Sequence, residues 1–139
     1  MNKFGLKFHH LGLATRLPEQ AAAMLEGLGY QGPSEPIYDP LQHVNLALYH
    51  HPLMPDVEVI YEREDEQESP LAAILKNSRQ MIYHQCYLTD DRQRSLQVIH
   101  DGGLRVMTVS EAKPAILFQG QSVSFHMVVG YSLIELLEA

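Results

Sequence analysis

The first element shows in the alternation of apolar and polar positions. Over residues 8–14, Leu11 and Leu13 fall on one side of an extended chain and His10 and Gly12 on the other, the two-residue period of a β-strand. Pro18 stands where a helix commonly begins, and residues 19–28, rich in Ala and Leu, lead to Gly29. Residues 31–38, with Gly and Pro, read as loop or irregular edge strand. Val44, Leu46 and Leu48 alternate in a strand over 43–49, residues 50–55 connect, and 57–61 is the next strand. Ser69 as cap and Pro70 at the first helical position open a helix to about Lys76. A strand over 82–88 precedes a helix capped by Thr89, Asp90 and Asp91 that ends near 101–103. Strands follow over 104–109, 115–118, 123–129 and 132–137.

The order repeats: strand, helix, glycine, then further strands, twice. His10 to Gly29 and His84 to Gly103 are each 19 positions apart, and His10 to Glu58 and His84 to Glu135 are 48 and 51. The expected fold is therefore α+β, with two βαβββ modules in one domain over 1–139. The first module covers about 6–62, a linker helix about 69–77, and the second module about 82–138.

The repeat carries chemistry. In Val57-Glu58-Val59 and Ile134-Glu135-Leu136 a carboxylate sits between apolar neighbours and points to the opposite face, which is either solvent or a second, polar pocket. Two carboxylates in a concave pocket repel and require a cation or protons. With His10 and His84 in matching register, two imidazoles and two carboxylates form a first shell for one divalent ion, with zinc, nickel, cobalt and manganese as candidates. A lone strand histidine or glutamate would mean little; the four symmetric positions carry the argument.

Composition narrows the class. A net charge of −7 leaves no basic patch for nucleic acid. No stretch approaches the roughly 20 apolar residues of a membrane span, and residues 1–15 lack a signal-peptide core. Cys86 is the sole cysteine, excludes an internal disulfide and reads as a small buried hydrophobe beside His84. A cytoplasmic location is the expectation. The acidic run from Glu62 to Glu66 reads as a solvated loop. His50, His51 and His100 read as loop and helix-end residues without a chemical role.

The segments 8–14, 28–30, 57–60, 83–87 and 133–136 together resemble the vicinal-oxygen-chelate superfamily (glyoxalases, bleomycin-resistance proteins and dioxygenases). Within it the chain looks most like methylmalonyl-CoA epimerases and lactoylglutathione lyase. The resemblance covers roughly 6–138. It implies paired modules forming a cup-shaped mixed sheet with helices outside, and a metal held by His10, Glu58, His84 and Glu135. Epimerases often carry glutamine at the Glu58 position, so the ligand set is nearer the bacterial glyoxalase pattern; the segment 39–42 and the short C-terminal region look nearer the epimerases. The implied reaction is proton abstraction next to a carbonyl in an acyl thioester or 2-oxo compound, with Glu135 as ligand and base. His126, expected to face the cup with Ser124, is a second catalytic candidate. An epimerase of this kind would place an acid on the strand over 43–49, where this chain has Asn45, Leu46 and Ala47. The expected partners are a small-molecule substrate, such as a CoA, acyl-carrier or glutathione thioester, and a second copy of the chain; nucleic acid and membrane are not expected. The alternatives are a non-catalytic small-molecule binding or resistance protein and a dioxygenase. Substrate choice falls to loops such as 32–42 and 65–69.

Overall fold

A computed structural model describes residues 2–33, 35–63 and 71–139. Its elements run β1 (Leu6–Thr15), α1 (Pro18–Gly27), β2 (Ile37–Asp39), β3 (Val44–Tyr49), β4 (Asp56–Tyr61), α2 (Leu71–Ile74), β5 (Gln80–Thr89), α3 (Arg92–Asp101), β6 (Val106–Pro114), β7 (Ser122–Val128) and β8 (Ser132–Glu138). Two compact units divide the chain, one of residues His10–Tyr83 and one of Met1–His9 with His84–Ala139. Ser69 and Pro70, expected to open the connecting helix, lie outside the described residues, as do Glu64, Asp65 and Glu66 of the acidic run and the loop 65–69. Among the described residues no helix is long and apolar enough to cross a membrane.

In the unit of residues 10–83 the strand order is β2-β3-β4-β1. β1 runs parallel to β4, and β3 is antiparallel to both β2 and β4. The other unit repeats this as β6-β7-β8-β5, with β5 parallel to β8 and β7 antiparallel to β6 and β8. Both are βαβββ modules with mixed strand directions, an α+β arrangement. The helices occupy the same offsets: α1 begins eight residues after His10, and α3 eight after His84.

Local chemistry fixes the helix ends. Pro18 opens α1, where its missing N–H costs nothing, and no side chain caps that end. Asp91 caps α3 by accepting from the Arg94 N–H at 3.1 Å. α1 and α3 are each followed by a glycine in the left-handed region, Gly29 at φ +96° and Gly103 at φ +89°, a conformation that costs a Cβ-bearing residue dearly.

Each helix covers one face of its strands. Leu25 of α1 packs with Tyr30, Ala47, Tyr49, Val57 and Val59. Ile99 of α3 packs with Leu6, Val128, Ile134 and Leu136. Full burial of such a side chain stabilises by about 1.5–3 kcal/mol. The inner strands are also buried on the face away from the helix: β4 has four consecutive buried residues, and so does β8.

One expected strand is absent. Residues 115–118 form a turn, in which Phe118 N–H donates to Ala115 O and Gln121 N–H to Phe118 O. Regular pairing ends at Pro114, and one further cross-strand bond, from Ala115 N–H to Gln121 O at 2.9 Å, closes the loop onto β7. The apolar run survives as packing instead: Ala115 and Phe118 cover Cys86, Val123 and Leu137.

Candidate metal centre

The register of the parallel pairs places the histidines and glutamates. On β1 and β4, Gly12 lies opposite Glu58, so the carboxylate stands across from the residue two beyond His10. On β5 and β8, Cys86 lies opposite Glu135, again two beyond His84. Side chains two apart on a strand share a face, so each histidine shares a face with its glutamate, and that face is the one away from the helix.

Both pairs are buried. His10 is 0% and Glu58 5% exposed, with His10 Nε2 and Glu58 Oε2 3.8 Å apart. His84 is 1% and Glu135 3% exposed, with His84 Nε2 and Glu135 Oε1 3.2 Å apart. Of the two environments the sequence left open for these carboxylates, solvent is ruled out. Each of the four residues offers a nitrogen or oxygen of the kind that binds a divalent ion. Two ligands bonded at about 2.0–2.2 Å to a tetrahedral or octahedral ion lie about 2.8–3.6 Å apart. The donor chemistry of both pairs suits a divalent ion; the spacing in the His84 pair falls in this range and that in the His10 pair lies slightly outside it.

The neighbours of the carboxylates are apolar. Leu48 of β3 lies across from Glu58, and Phe125 of β7 across from Glu135. The Phe125 ring meets the His84 imidazole edge to face, 5.3 Å between centroids and 78° between planes. Neither position supplies a second acid. Asn45 pairs with Tyr61 and so belongs to the face turned toward α1 rather than to that of Glu58. Sequence reading missed Leu48 and Phe125; the signal was there in strand parity, once the glutamates are taken as the reference.

His126 occupies the opposite face from the one expected. It lies across from Ile134, and Ser124 across from Leu136, both members of the layer under α3. There the imidazole is 2% exposed and engages two hydroxyls, Thr108 Oγ1 at 3.0 Å from Nδ1 and Ser124 Oγ at 2.8 Å from Nε2. Burial lowers its pKa from the ordinary value, Arg92 lowers it further, and Glu111 partly offsets both. The expectation failed because both faces of β7 are buried or half-buried, so the alternation of Val123, Phe125 and Met127 with Ser124 and His126 does not tell which face turns to the helix.

The other histidines have local work. His51 Nε2 donates to Leu28 O at 3.1 Å, and its Nδ1 accepts from Leu53 N–H at 3.0 Å, tying the end of α1 to the loop before β4. His50 meets Asp56 at 2.7 Å on the surface. His100 is largely exposed beside Asp101. Cys86 is fully buried, on the strand face of His84.

Comparison with known proteins places this arrangement. The family model of the Glyoxalase/Bleomycin resistance protein/Dioxygenase superfamily matches residues 9–125. No curated protein sequence matches the chain. Methylmalonyl-CoA epimerase from Mycobacterium tuberculosis superposes with a TM-score of 0.73 at 20% identity, over 96% of this chain and 87% of that one. A hypothetical protein from Bacillus halodurans C-125 gives 0.76 at 19% identity, over 96% and 94%. Streptomyces coelicolor methylmalonyl-CoA epimerase in complex with 2-nitronate-propionyl-CoA gives 0.68 at 17% identity, over 96% of each chain. At these identities the likeness is one of fold.

Proposed function

From the premise that the chain belongs to the glyoxalase/bleomycin resistance protein/dioxygenase superfamily, we propose that it is a metal-dependent isomerase or lyase that removes a proton next to a carbonyl in a small acyl-thioester or 2-oxo substrate. One observation carries the reading: each module holds a buried His–Glu pair in the same register on its parallel strands, at a spacing suited to metal ligation or close to it. His10, Glu58, His84 and Glu135 would hold the ion. Two neutral imidazoles and two carboxylates carry a charge of −2, matched to one zinc, nickel, cobalt or manganese ion. Buried carboxylates without such a partner would be costly to keep ionised.

When bound, the ion supplies Lewis acidity toward the oxygens of the substrate, which makes the adjacent C–H more acidic. The chain's part is to receive and return the proton. Glu135, when not ligating the ion, would be the base, its carboxylate buried beside His84 and Phe125. His126 lies on the helix side of its strands and takes no part. Leu48 and Phe125, across from the two carboxylates, supply no second acid, and the buried Asp39 on the face of Glu58 is engaged by Leu41 N–H and Gln42. A single carboxylate suffices to move a proton between adjacent carbons, as in conversion of a 2-oxo thiol adduct. Inversion at one carbon needs a second proton source on the opposite side of the substrate, left here to Glu58 or water. The same absence favours the second reading, a non-catalytic small-molecule binding protein of this fold.

The test uses protein loaded separately with each metal. Turnover of the methylglyoxal–glutathione adduct supports the lyase branch, and solvent deuterium entering methylmalonyl-CoA supports the epimerase branch. In either case Glu135→Gln should lose the activity. If neither reaction occurs with metal bound and Glu135→Gln binds ligands as tightly as wild type, the protein is a binding protein and the enzyme reading falls.

A further inference from the structure

In the unit of residues 1–9 and 84–139, a cavity of about 410 Å³ opens between α3, the N-terminal segment and the turn joining β7 to β8. Phe4, Leu6, Ile99, Val128 and Ile134 form its apolar floor, and Leu104 lines one side. It lies on the helix side of the strands, the face opposite Glu135, and so belongs to a different surface from the proposed metal site. At its mouth stand two phenols. Tyr87 Oη and Tyr131 Oη donate to the same Gln85 Oε1, at 2.6 Å and 2.5 Å, and lie 3.3 Å from each other.

The other module shows what such a space accommodates. Tyr30 directly follows Gly29, as Leu104 directly follows Gly103, and both glycines are left-handed. Tyr30 is buried among Leu25, Tyr49 and Val57, and its hydroxyl donates at 2.7 Å to Pro55 O, in the segment that leads into β4. Leu104 is shorter, has no hydroxyl and is 41% exposed. The cavity borders Leu104 and residues 129–131, the segment that leads into β8. One module therefore fills the gap between its helix and its last strand with a phenol of its own, and the other leaves a hollow there. The hollow is open on one side, and an apolar hollow with a few convergent polar groups has the form of a small-molecule site.

We propose that this hollow is a second ligand site, distinct from the metal centre, that takes a small uncharged phenol or similar hydroxylated aromatic in the place that Tyr30 fills in the first module. The ring would pack on Ile99, Val128 and Ile134, and its hydroxyl would join the hydrogen bonds of Tyr87, Gln85 and Tyr131. Burial and the contact with Tyr131 push the Tyr87 pKa up to about 12, so that phenol stays neutral over the working pH range.

The probe is p-cresol, titrated into the full chain while the methyl resonances of Ile99, Leu104, Val128 and Ile134 are followed by NMR. Saturable shifts are expected at these methyls and at the other cavity-lining methyls, of Leu6 and Val129, and not elsewhere. Toluene should bind about fivefold more weakly, the equivalent of one neutral hydrogen bond. Leu104→Tyr should weaken p-cresol at least tenfold by supplying the missing ring. Should that variant misfold, Val129→Trp at the half-exposed rim serves as the second block. Three results would overturn the proposal: no saturable shift, equal binding of p-cresol by wild type and a folded blocking variant, or ligand-free shifts at these methyls that depend on protein concentration, which would make a second copy of the chain the occupant.

Discussion

Tyr30 and Leu104 follow equivalent glycines, Pro18 and Arg92 open equivalent helices, and Leu17 and Asp91 stand at equivalent caps. The histidine, the glutamate and their register are kept in both modules, while the fittings around them differ. Module 1 closes its helix layer with a tyrosine and starts its helix with a proline. Module 2 caps its helix with an aspartate, holds Arg92 against Glu138 and Ser122, and leaves a hollow. A strand pair can thus keep its histidine and glutamate in register while the helix packed behind it is solved in two ways.

The comparison breaks first, if it breaks, at the metal. Were the two His–Glu pairs equivalent ligands, His10→Ala and His84→Ala would weaken metal binding by similar factors, at least about 100-fold each, since even outer-shell partners are worth 10–100-fold. Competition against a chelator of known affinity measures both. A loss confined to one variant would show that only one module binds the ion.

The helix caps give a smaller difference. Asp91→Ala should cost about 1 kcal/mol of stability, because the Arg94 N–H loses its acceptor. Leu17→Asp should recover up to a similar amount at α1, which has no side-chain cap. Urea unfolding of the two variants sharpens the contrast, and an Asp91→Ala change without effect would remove the cap from it.

The smallest effect is a slope. His126 corresponds in register to Tyr49, one opposite Ile134 and the other opposite Val57. Because the folded state lowers the His126 pKa, the unfolded chain takes up the proton first as pH falls. The stability tied to a neutral His126 is complete above the ordinary histidine value of 6.5 and is lost as pH drops from there toward the lowered value. Tyr49, whose pKa burial raises above 10, does not titrate in that window. Unfolding free energies at pH 7.5 and 5.5 should fall more steeply for wild type than for His126→Gln. Equal slopes would mean that the imidazole is not held neutral.

Much of this was legible in the sequence. Matched spacings of His10 and His84 to their glycines gave the duplication, and alternation gave most strands. The face of His126 was not legible, because β7 and β8 bury apolar residues on both sides and a two-residue period then carries no sign. The stretch 115–118 looked like a strand because it is apolar, but Phe118 N–H and Gln121 N–H bond back to Ala115 O and Phe118 O, and the run packs as a turn. The hollow beside Leu104 could not be read at all. It depends on what is missing relative to Tyr30, and an absence becomes visible only when the two modules are laid on one register.

Cys86 gives a way to time local opening. The only thiol in the chain is fully shielded, beneath Ala115, Val123 and Leu137. A thiol reagent can reach it only when that layer opens, so the modification rate is a clock for opening. At low reagent the rate reads how often the layer stands open, and at high reagent it reads how fast it opens. One unmodified protein thus times the breathing of its C-terminal unit.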